Sequence, residues 1–77
     1  MSLTSQLPHL NATQLRSLSS TLLNASLAHE NGGNPREIFR RAKYRHIGLM
    51  QRIYELLQHA SHAEIDQLSK HIAEINP

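Results

Sequence analysis

Phe39, Ala42, His46, Leu49, Ile53, Leu56 and Ala60 recur at alternating spacings of three and four residues. A strand, with its period of two, scatters such a set over both faces, whereas a helix gathers it into one seam. The stretch opens on Asn34-Pro35-Arg36-Glu37. Asn34 is a good N-cap, Pro35 fits the first helical position, and Glu37 stands where a capping box closes. The spacing therefore predicts one long helix over about 35–60. Placed at 100° per residue, Ile38, Met50 and Leu57 join the seam in an arc of about 120°. Ile47 and Tyr54 widen the apolar area beyond Met50.

The other segments read as partners for that seam. Residues 1–10 form an N-terminal arm with Leu3, Leu7 and Leu10, interrupted at Pro8. Residues 11–77 read as a single helical domain. Asn11 and Gln14 make a capping box for a helix over about 12–30, with Leu15, Leu18, Leu22 and Ala25 on one face. Leu23 and Leu27 lie on a neighbouring face, with the small Ser19 and Ser26 between the rows. Asn31-Gly32-Gly33 is a helix stop. Ser61 and Glu64 begin a last helix over about 62–75, with Ile65, Leu68, Ile72 and Ile75 inward and Asp66, Lys70 and Glu74 outward; Asn76-Pro77 follows it. The expected fold is all-α, with three helices. An antiparallel helical hairpin (about 12–30 and 35–60) is joined by a shorter C-terminal helix (about 62–75).

A 77-residue chain buries only about 60% of its unfolded surface. With no cysteine, no Trp, one Phe and two Tyr, the core rests on Leu, Ile, Ala and Met. Domains of this kind gain missing burial by dimerising or by docking on a protein partner. Ile47, Met50, Tyr54 and Leu57, with Leu23 and Leu27, are the residues expected at such an interface. The competing reading covers Ile47, Met50 and Tyr54 with the leucines of the arm.

The charge is uneven. Arg36, Arg40, Arg41, Lys43, Arg45 and Arg52 face only Glu37 within 36–52, while the end of the chain is acidic. On one long helix these cations form two rims beside the seam, Arg41, Arg45 and Arg52 on one side and Arg36, Arg40 and Lys43 on the other. Rims of this kind are solvated and partly ion-paired. The same cations are also able to bind phosphates or an acidic partner. Near the start of a long helix they oppose the macrodipole, at about 0.3–1 kcal/mol each.

His46 falls inside the seam. It reads as a hydrogen-bonded core histidine or, more sharply, as a pH-sensitive packing switch. Gly48 costs about 1 kcal/mol relative to Ala in a helix and marks a bend or a close approach. His59 and His62 straddle a helix junction without helical metal-pair spacing, so neither a metal site nor a cofactor is expected. The carboxylates lie outward and the serines lack a neighbouring base, which argues against an enzyme. A small-molecule pocket of about 300 Å³ is not expected in so small a bundle. No basic leader followed by an apolar run opens the chain, and no stretch nears the ~18 apolar residues of a span. The reading is a cytoplasmic protein with no membrane partner.

Three functions fit. The first is a non-enzymatic binding or regulatory protein acting through helix–helix contacts, as a homodimer or on a protein partner. The second is a small nucleic-acid-binding protein using the basic rims. The third is a chaperone or inhibitor that sequesters a partner's helix.

Overall fold

The computed structural model describes residues 3–75; Met1, Ser2, Asn76, Pro77 and the packing of the Leu3 and Thr4 side chains lie outside the described residues. The fold is all-α, as the periodicity requires. A 3-10 turn over Leu3–His9 is followed by α1 (Ala12–Glu30), α2 (Pro35–Arg45), α3 (Gly48–Gln58) and α4 (His62–Ile75).

Local chemistry sets the boundaries. Asn11 Oδ1 accepts from the Gln14 N–H at 2.8 Å, and Gln14 Oε1 accepts from the Asn11 N–H at 2.9 Å, closing the expected box on α1. The Ser61–Glu64 box on α4 closes in the same way, with both bonds at 3.2 Å. The α2 cap differs from expectation. Asn34 Oδ1 accepts from the Arg36 N–H at 3.1 Å, but the Glu37 carboxylate turns to Arg40 instead of back to Asn34. Gly32 adopts φ +79° after α1, a left-handed conformation that favours glycine.

The long helix expected over 35–60 is two helices. Backbone at His46 and Ile47 is extended, and Gly48 starts α3 with φ +65°. A continuous 26-residue rod would run about 39 Å, longer than the greatest dimension of the molecule, 32 Å. Breaking the rod sacrifices a few backbone hydrogen bonds, but both halves of the seam now face inward. Phe39 and Ala42 from α2 meet Met50, Ile53, Tyr54 and Leu57 from α3 in one core. Each large side chain so buried contributes about 1.5–3 kcal/mol, enough to decide the matter against helical continuity.

The break also revises the macrodipole argument. Lys43 and Arg45 occupy the last turn of α2, where positive charge is favourable; of the cations, Arg36 alone stays in its first turn. The rest of the core comes from Leu18, Leu22 and Ala25 of α1, Leu68 and Ile72 of α4, and Leu7 and Leu10 of the arm. α1 and α4 also meet where the His29 and His62 rings stack with centroids 4.4 Å apart.

Candidate functional site

The expected interface residues separate into two groups. Met50, Tyr54 and Leu57 are buried within the monomer, so their expected place on a partner surface is corrected. They sit in the same apolar cluster as Leu7 and Leu10, the covering that the arm's leucines suggested. Tyr54 also spends its hydroxyl inside the molecule, donating to Thr21 Oγ1 at 3.2 Å. Ile47, Leu23 and Leu27 do remain outside, at 88%, 62% and 47% exposure. Ile47 tips the α2–α3 corner, while Leu23 and Leu27 lie on α1, so the three form no single patch along one helix.

His46 is not inside a helical seam. It ends α2, half-buried, with Nδ1 2.8 Å from the Ala42 carbonyl oxygen and its ring 5.0 Å from that of Tyr54. A ring N–H donated to that carbonyl satisfies an acceptor left open by the end of the helix.

The cations also divide. Arg40 grips Glu37 with two bonds, Nη2–Oε1 at 2.6 Å and Nε–Oε2 at 3.1 Å, and Arg41 Nε lies 3.5 Å from the same carboxylate. The Arg40 hydrogen bond holds the Glu37 carboxyl below its ordinary range. Lys43 reaches from α2 to the Glu55 carboxylate on α3. This contact lowers the Glu55 carboxyl and raises the Lys43 ammonium, each chiefly through the shared hydrogen bond. The Lys43 ammonium also lies 5.8 Å from the centre of the Tyr44 ring.

Arg36, Arg45 and Arg52 are exposed and make no ion pair among the described residues. Tyr44 stands beside Arg45 and is 72% exposed. The first amides of α3 receive no side-chain cap, because the N-cap residue is Ile47. Lys43, Arg52 and Glu55 line an open groove next to that helix start, with Gly48, Leu49, Gln51 and Gln6 completing it. Among the described residues Leu49 is the one large apolar side chain lining the groove.

Among the described residues no group of three His, Cys, Asp or Glu side chains is placed to hold a metal ion. No helix among them is long and apolar enough to cross a membrane. Comparison with protein-family models, with curated proteins and with solved structures finds no match for this chain.

Proposed function

We propose that this is a small non-enzymatic binding protein whose α2–α3 surface takes the phosphate backbone of a nucleic acid. One observation carries the reading: Arg36, Arg45 and Arg52 are exposed on this surface without an acidic partner among the described residues. Between residues 35 and 58 the chain places six cations against two carboxylates, whereas the remainder holds two cations against four carboxylates. The positive potential is thus confined to one pair of helices, the distribution that attracts and orients a polyanion. Tyr44 adds an exposed ring on which a base can stack.

A protein partner is favoured less on this face. Tight protein interfaces centre on a desolvated aromatic or aliphatic anchor, and of the four residues expected to supply it on these two helices Met50, Tyr54 and Leu57 are in the core, leaving Ile47 alone exposed. Titration of labelled single-stranded DNA, duplex DNA and duplex RNA at low salt, read by fluorescence anisotropy, tests the proposal. Binding to at least one is expected, with loss on Arg36→Gln, Arg45→Gln and Arg52→Gln together. Absence of binding to all three overturns it. Helix–helix association keeps support from a different surface, the exposed Leu23 and Leu27 of α1.

A further inference from the structure

The outer face of α1 carries a row of residues with opposite charges at its two ends. Arg16, Ser20, Leu23, Leu27 and Glu30 follow one another at spacings of four, three, four and three residues, which lines them up along one side of the helix. All five are exposed, and the face opposite carries the core residues Leu18, Leu22 and Ala25. Arg16 and Glu30 are the guanidinium and carboxylate charges of α1, and neither has an ion-pair partner among the described residues. Both stand seven residues from Leu23, one on each side.

We infer that this face binds a second copy of the chain, with the two α1 helices antiparallel about a two-fold axis near Leu23. A two-fold contact must be self-complementary, each residue meeting the one equally far beyond the axis. About Leu23 the operation sets Arg16 against Glu30 of the partner subunit, twice. It brings Leu23 near Leu23 of the partner subunit. It lays Leu27, four residues beyond the axis, against Ser19 of the partner subunit and Ser20 of the partner subunit, a large side chain on small ones. A parallel pair would instead oppose Arg16 with the partner's Arg16 and Glu30 with the partner's Glu30. The charge pattern therefore selects the antiparallel arrangement. A contact of one helix on one helix buries less than about 1,200 Å², the size class of weak and transient association. The surface is separate from the cationic α2–α3 face and does not depend on what that face binds.

Sedimentation velocity over a concentration series, with circular dichroism to confirm folding, tests the inference. The expected result is a monomer–dimer equilibrium in the micromolar range. Arg16→Glu and Glu30→Arg should each weaken it about tenfold, because each turns two attractive pairs into repulsive ones. The double variant Arg16→Glu with Glu30→Arg should return to within about twofold of the original, because the antiparallel pairs are re-formed with their signs exchanged. A protein that stays monomeric to millimolar concentration overturns the inference. A dimer indifferent to the single exchanges, or not restored by the double one, overturns it equally. All variants change exposed side chains, so retained helicity is expected throughout.

Discussion

Tyr54 donates its hydroxyl to Thr21 Oγ1 at 3.2 Å, and Thr21 in turn donates to the Ser17 carbonyl at 3.0 Å. A buried phenol on α3 is thereby tied to the backbone of α1 through one threonine. Tyr54→Phe keeps the ring and loses the bond, and should cost about 0.5–1.5 kcal/mol. Tyr54→Ala should cost about 3–5 kcal/mol. For a domain of this size each kcal/mol shifts the melting temperature by roughly 4–8 °C, so thermal melts separate the two variants. An alanine variant as stable as the parent would return Tyr54 to the surface.

Gly48→Ala distinguishes two helices from one by its sign. Within a continuous helix the substitution stabilises by about 1 kcal/mol. At φ +65° it destabilises by about 1–2 kcal/mol. A Cβ there meets no atom within 4 Å, so the loss comes from the backbone alone. Asn tolerates the left-handed region better, and Gly48→Asn should lose less than Gly48→Ala. Chemical denaturation of the three proteins gives the order directly.

The Lys43–Glu55 contact gives the α2–α3 pair a pH profile. The Glu55 carboxyl titrates below its ordinary 4.5 in the folded chain. Its contribution is therefore complete above that value and is lost as pH falls through the lowered one. The Lys43 ammonium titrates above its ordinary 10.5, so its contribution is complete below that value and lost as pH rises through the raised one. Stability should be flat in this respect between the two limits. Glu55→Gln should flatten the acid limb of a melting-temperature titration, leaving the share due to Glu37, whose carboxyl is also lowered. An unchanged acid limb would dismiss the contact.

Salt dependence measures how many of the cations touch phosphate. On duplex DNA each neutralised phosphate contributes about −0.9 to the slope of log affinity against log salt. Arg36→Gln, Arg45→Gln and Arg52→Gln, made singly, should each reduce that slope by about one such step. Arg40→Gln should reduce it less, because Arg40 is already engaged by Glu37. Equal effects at all four positions would show that the existing ion pairs do not matter.

Most of the element boundaries are legible in short-range chemistry. Asn11 with Gln14, Ser61 with Glu64, and Asn34 with Pro35 mark three helix starts to the residue. The break at His46 and Ile47 is not legible in the same way. Alternating spacings of three and four continue across it without a flaw, because both new helices turn those residues to a shared core. Gly48 is the one local sign of it, and a lone glycine is compatible with a helix interior. The misreading carried into the candidate interface. Met50, Tyr54 and Leu57 look like surplus apolar surface on a straight rod, and become interior only when the rod folds against α1 and the arm. The cations were legible as a group. Which of them lack a partner was not, since pairing depends on how α2 and α3 meet.

The extended link at His46 and Ile47 also makes the chain cleavable at a chosen place. Arg45 is exposed and is the last residue of α2, directly before the link, while Arg16, Arg36, Arg40, Arg41, Lys43, Arg52 and Lys70 all lie inside helices, none as a terminal residue. Proteases nick exposed non-helical backbone first. Limited trypsin digestion should therefore release a first pair of fragments ending and starting at the Arg45–His46 bond. Nucleic acid lying across Tyr44 and Arg45 would shield that bond, so the rate of the first cut offers a footprint of the cationic face that needs no label on either molecule.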